Sequence, residues 1–149
     1  MIADFGQIQF DRTLNATPDR VFQALTDAQD RMAWGAPDTN SVHIIDAPAP
    51  LEPGAREMGR VGPRDNPYVE VATDWIILEA PTRLVYAETL SAEGEALGTS
   101  LATFELSDQG TNTALRATIQ IANFAGEGMR AEMEAGWTHA MEALASHVA

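Results

Sequence analysis

The stretch EGMRAEMEAGWTHAMEALASHV, residues 127–148, decides how the chain folds. At about 100° per residue, Met133, Trp137, Ala140, Met141, Leu144 and Val148 fall on one apolar stripe, while Glu132, Glu134, His139 and Glu142 lie off it. The spacing predicts a helix from Glu127 to Val148, roughly 30 Å long and able to cross a small domain. No upstream segment offers an apolar helix of similar length, so this one has to pack on a sheet. Its stripe contains Met and Trp as well as Leu and Val. Met adapts to irregular gaps and Trp offers a flat wall, which fits a ligand cavity beneath the helix; an ordinary filled core uses the same residues.

The upstream chain supplies that sheet. Gln7 to Asn15 alternates Ile8, Phe10, Arg12 and Leu14 with polar residues and reads as a first strand at a sheet edge. Thr17-Pro18-Asp19 then opens a helix: Thr17 as N-cap, Pro18 at the first helical position, Asp19 at the positive end of the dipole. A second short helix follows from about Asp27 to Met32. Strand periodicity begins at Ser41 and runs through Val42–Asp46, Gly54–Val61, Tyr68–Glu79, Arg83–Leu90, Thr99–Ser107 and Thr113–Ile121. Val69, Val71, Thr73, Trp75 and Ile77 share a face if their strand is unbroken, and Ser91–Gly98 reads as a polar loop. An antiparallel meander with one apolar face needs a cover, and the C-terminal helix is the segment that can provide it over the sheet's middle.

With 149 residues the chain fits one domain spanning 1–149. Its formal charge of −13 comes from 22 acidic against 9 basic residues, and every basic residue is Arg. Such a surface repels phosphate backbones and anionic headgroups, which argues against nucleic-acid and membrane partners. The absence of Lys excludes Schiff-base chemistry; the absence of Cys excludes disulfides, a thiol nucleophile and thiolate zinc sites. No nucleotide-binding glycine motif and no G-x-S-x-G elbow occurs. No apolar run approaches a membrane span and no leader pattern opens the chain, so a cytoplasmic protein is expected.

The string FDRTLNATPDRVFQALTD, residues 10–27, followed by Trp34, resembles the START-like, or Bet v 1-like, helix-grip superfamily (SRPBCC). PTRLVY at 81–86, TFEL at 103–106, and Gly136-Trp137 followed by Leu144 are similar to its branch related to the activator of Hsp90 ATPase. The resemblance covers nearly the whole chain, through the order of its strings more than through any one of them. It implies an α+β helix-grip fold: a curved seven-stranded antiparallel sheet, two short helices after the first strand, and a long C-terminal helix over a hydrophobic cavity. The superfamily shares no catalytic constellation. The acidic surface departs from what docking an acidic partner needs, so the branch's name does not imply a chaperone role.

Within that frame, Trp34, Met58, Trp75, Tyr86, Phe104, Met133, Trp137 and Met141 are the expected ligand-binding residues. Glu88 shares a strand face with Leu84 and Tyr86; there it would be desolvated and available as an acid, whereas the opposite register leaves it in water. His43, between Val42 and Ile44, is either a structural histidine or a second acid–base candidate, and Tyr86 is a third. His139 lies about 200° from Trp137 and His147 near a fraying end, so no metal-ligand spacing arises. Arg130, about 20° from Trp137 on the helical wheel, is read as snorkelling to solvent, and Arg116 as a cross-strand surface partner. Neither a metal nor a cofactor is expected. The leading reading is binding or carriage of a small hydrophobic molecule; the alternatives are a cyclase- or aromatase-type enzyme using the same cavity, or a protein-interaction, stress-response module with an unspecified partner.

Overall fold

A computed structural model describes residues 3–149. The elements follow in the order β1 (Asp4–Leu14), α1 (Pro18–Thr26), α2 (Ala28–Trp34), β2 (Ser41–Ala47), β3 (Arg56–Pro63), β4 (Val69–Glu79), β5 (Arg83–Ala92), β6 (Glu95–Asp108), β7 (Thr113–Asn123) and α3 (Met129–Val148). All seven strands form one antiparallel sheet in the order β1-β7-β6-β5-β4-β3-β2. The fold is the helix grip, with β1 and β2 at the two edges.

Local chemistry sets the element ends. The Thr17 hydroxyl accepts from the Arg20 amide at 3.3 Å, with Pro18 in the first turn. Asp27 ends α1 and caps α2, its carboxylate accepting from the Asp30 amide at 3.0 Å. Gly128, at φ 89°, turns the chain into α3, so the helix starts two residues after the predicted Glu127. A side chain in that left-handed conformation is strained, which favours glycine there.

Two strand expectations are corrected. A bulge between Trp75 and Ile77 breaks the alternation of β4, so Ile76 is exposed, Ile77 leaves the inner face and Leu78 packs inward opposite Leu84. Ser91–Gly98 is no loop: β5 and β6 run on to a tight turn at Glu93-Gly94, whose φ angles of 52° and 79° suit the twist of a hairpin.

The predicted stripe is the buried face of α3: Met133, Trp137, Ala140, Met141, Leu144 and Val148. Its cover is lopsided rather than central, because its close approach in the sheet is to β1 and β7 and its other neighbours are α1 and α2. Glycines permit the approach on this side of the sheet, since a Cβ on Gly6 of β1 would stand 2.8 Å from the Arg130 side chain and one on Gly98 of β6 2.9 Å from the Met133 sulfur. Arg130 reaches solvent as expected and pairs with Asp4 and Glu134 at 2.9 Å each. Arg116 meets Asp11 across β1 and β7 at 2.8 Å. His147 is not at a loose end: its Nε2 lies 2.6 Å from Asp30, which also binds Arg20 at 3.0 Å, tying the C-terminal turn of α3 to α1 and α2.

Leu144 is wholly buried and Glu142 is exposed one face away. Leu144→Ala is therefore expected to cost about 2–5 kcal/mol in denaturant unfolding, and Glu142→Ala about 0–0.5 kcal/mol.

Candidate functional site

Where α3 stands away from the far half of the sheet, a cavity of about 640 Å³ opens between α2, α3 and strands β2 to β6. Its apolar wall includes Trp34, Val71, Leu90, Leu97, Met133 and Trp137. Arg31, His43, Tyr86, Glu88 and Ser100 add polar groups, and the exposed Asp38, Tyr68 and Glu132 stand at the rim.

Of the residues named from sequence, Trp34, Tyr86, Met133 and Trp137 line the cavity, as do His43 and Glu88. Trp75, Phe104 and Met141 lie behind the wall, in the packed core. Trp75 meets Tyr86 edge-on at 5.3 Å between centroids, and Tyr86 stacks on Phe104 at 5.7 Å. Met58 belongs to the other side of the sheet and is 38% exposed, because the pleat of β3 turns Glu57 and Gly59 inward instead.

The alternation of β5 places Leu84, Tyr86, Glu88 and Leu90 on the inner face; the cross-strand neighbours of Glu88 are Thr73 and Ser100. Burial away from water raises the Glu88 pKa to about 6, with Arg31 pulling it back and Glu57 pushing it up. Burial lowers the His43 pKa to about 4, reinforced by the nearby Arg31 charge, so this ring is neutral at physiological pH. Burial also pushes the Tyr86 phenol well above its ordinary value, with the Glu88 charge adding to the effect.

Arg31 and Glu57 were not among the residues singled out. The Arg31 guanidinium, 2% exposed, donates to Glu57 at 2.5 Å and lies over the rings of Trp75 and Tyr86, 4.9 and 5.9 Å from their centroids. Two patterns carried the signal. Arg31 precedes Trp34 by three residues, placing both on one helix face, and Glu57 sits two and four residues from Gly59 and Val61 on the inward side of β3. Trp34 Nε1 donates to the Ala24 carbonyl at 2.7 Å and Trp137 Nε1 to the Ser100 hydroxyl at 3.2 Å, which orients both rings. The buried His43 Nδ1 and Trp75 Nε1 have no hydrogen-bond partner. Among the described residues no group of three or more His, Cys, Asp or Glu side chains is arranged to hold a metal ion, and no helix is long and apolar enough to cross a membrane.

A sheet gripping one long helix, with a cavity held between them, defines the helix-grip class of domains, in which that space typically takes a small molecule. The chain belongs to the family described as "Activator of Hsp90 ATPase homolog 1-like protein", which matches residues 15–149. Protein Mll3558 from Rhizobium loti is 26% identical with a TM-score of 0.81, the alignment covering 99% of each chain. A protein from Rhizobium leguminosarum is 20% identical with a TM-score of 0.83, over 99% of this chain and 96% of that one. Protein CV1439 from Chromobacterium violaceum is 19% identical with a TM-score of 0.78, over 95% and 96%. No curated protein sequence matches the chain. These structural likenesses carry the fold and name no ligand.

Breaking the buried ion pair leaves one charge stranded. Arg31→Met alone is expected to destabilise by about 3–5 kcal/mol, and Arg31→Met with Glu57→Leu by much less, as read from a double-mutant cycle in urea.

The two shifted groups act on stability in opposite directions. His43 has a depressed pKa, so its contribution is complete above about pH 6.5 and is lost as the pH falls toward about 4, where the unfolded chain takes the proton first. Glu88 has a raised pKa, so its contribution is complete below about pH 4.5 and is lost as the pH rises through about 6. Glu88→Gln is accordingly expected to stabilise the fold by about 1–2 kcal/mol at pH 7.5 relative to its effect at pH 4. Urea midpoints at the two pH values check the sign.

Proposed function

We propose that this chain binds one small, largely apolar molecule in the cavity under α3. The observation that carries the reading is the cavity itself: about 640 Å³, within the size range of ligand pockets, with an aromatic and aliphatic wall and a few polar groups among it. Trp34, Tyr86, Met133 and Trp137 are the proposed contact residues from the original set; Val71, Leu90 and Leu97 join them. Trp75, Phe104 and Met141 act behind them by fixing the positions of Tyr86 and the helix.

One observation favours a second reading, an acid–base enzyme of the cyclase or aromatase kind. Glu88, with its pKa raised to about 6, and Tyr86 both face the space a substrate would fill. Wild-type and Glu88→Gln protein forming identical amounts of product from a cyclisable polyketide would remove that reading. A protein-interaction role has less support: the large exposed apolar side chains Phe5, Leu51, Met58, Tyr68, Ile76 and Phe124 each sit on a different element or connection.

A thermal-shift screen of steroids, aromatic polyketides and lipids tests binding. Ligand at 100 times its Kd adds about 2.7 kcal/mol, and Leu97→Trp, which fills the cavity from β6, is expected to abolish that gain. Trp137→Ala is expected to cost about 1–3 kcal/mol, less than a wholly core Trp, because part of its ring already faces the cavity, and to weaken every ligand found. No stabilisation by any compound, or stabilisation untouched by Leu97→Trp, would count against the site.

A further inference from the structure

The polar groups of the cavity are of unequal sign. Among the described residues that line it the one cation is Arg31, which is paired with Glu57 at 2.5 Å and lies over two rings. The other basic side chain, His43, is neutral. Against these stand three carboxylates lining the same space: Glu88 in the wall and Asp38 and Glu132 at the rim. Among the described residues none of the three forms an ion pair. Four aromatic rings, Trp34, Tyr68, Tyr86 and Trp137, line the cavity with them.

His43 also lines the cavity, 7% exposed and neutral. Its Nδ1 is buried against Gly35 and the Arg31 carbonyl at the end of α2, so the ring adds no charge to the space and the carboxylates set its sign.

We infer that the cavity is selective for an organic amine: an apolar body carrying a protonated nitrogen, held between the Glu88 carboxylate and the aromatic faces. The inference rests on the small-molecule reading and names its ligand class. A fatty acid would set its carboxylate against the three acidic groups with no free cation to meet it. An alcohol would leave Glu88 ionised and uncompensated. An ammonium matches the carboxylate, gains from the electron-rich ring faces, and is concentrated near the mouth by a chain of net charge −13.

Three probes with one skeleton separate these cases: pyrenemethylamine, pyrenemethanol and pyrenecarboxylic acid, titrated at physiological salt by quenching of tryptophan fluorescence. The expected order is amine, then alcohol, then acid, with the amine about tenfold tighter than the alcohol. Glu88→Gln should bring amine and alcohol within about twofold of each other, by weakening the amine and relieving the alcohol of a stranded charge, and the exposed Glu142→Gln should leave the amine preference intact. The wild type supplies a second measurement that needs no variant: the amine preference should fade as the pH falls through about 6, where Glu88 takes up a proton. The charged and titratable groups that line the cavity or act on Glu88 are Arg31 on α2, Asp38 between α2 and β2, His43 on β2, Glu57 on β3, Tyr86 on its own strand and Glu132 on α3. His43 stays neutral down to about pH 4, so it does not produce that change. Equal binding of alcohol and amine, or preference for the acid, overturns the inference and leaves the cavity a binding site. No saturable binding by any of the three overturns both.

Discussion

Everything in this molecule depends on how one long helix meets one sheet. The stripe of α3 buries Met133, Trp137, Met141 and Leu144, and the residues it meets set the distance of contact. Near β1 and β7 that distance is short, and Gly6 on β1 and Gly98 on the adjoining β6 remove the side chains that would hold the helix off. Sheets twist, so a straight helix seated on one edge diverges from the other. The divergence is the cavity. Gly98→Leu would press on both the Ala122 carbonyl of β7 and the Met133 side chain, so this glycine sustains the strand pairing and the seat of α3 beside the empty space.

The short helices complete the enclosure by contributing polar groups as well as a wall. Arg31 comes from α2, and its partner Glu57 from β3, so the ion pair joins the helical layer to the sheet beside the cavity. A second link, His147 and Arg20 on Asp30, joins all three helices at the end of α3. The helical layer is thus held on two sides, by charge at the cavity and by a half-exposed network at the C-terminus. Screening makes the second the weaker of the two, since Arg20 is 36% exposed at its side chain whereas that of Arg31 is 2% exposed.

Much of this architecture was legible because its determinants are local. The stripe of α3, the Thr17 cap, the strand at Thr113–Ile121 and the cross-strand surface role of Arg116 all follow from periods and short-range chemistry. What was not legible depends on register between strands. The bulge that expels Ile77 has no marker in the periodic pattern, and Met58 looks like a cavity residue until the pairing of β3 shows Glu57 to be its inward neighbour. The candidate site divides in the same way. Aromatic residues named for their size are indeed interior, but which of them reach the cavity and which sit one layer behind depends on where α3 leaves the sheet. Arg31 was passed over because an Arg on a short helix is ordinarily a surface residue.

The polar content of the cavity poses a question that folding does not answer. Leu or Met in place of Arg31 and Glu57 would fill the same volume without desolvating two charges, and such replacements are often neutral or stabilising. Glu88 has even less structural reason to be present, because its raised pKa records a carboxylate whose ionised form burial disfavours by more than the Arg31 charge restores. Neutral His43 brings a ring nitrogen with no partner. Glu88 and His43 are thus polar groups set, together with the Arg31–Glu57 pair, in or beside an otherwise largely apolar space. Costs gathered at one place in this way are typical of sites shaped by what they bind. The hydrophobic effect explains why α3 is seated, and the packing of His43 on Gly35 accounts for that ring; neither accounts for the carboxylate of Glu88.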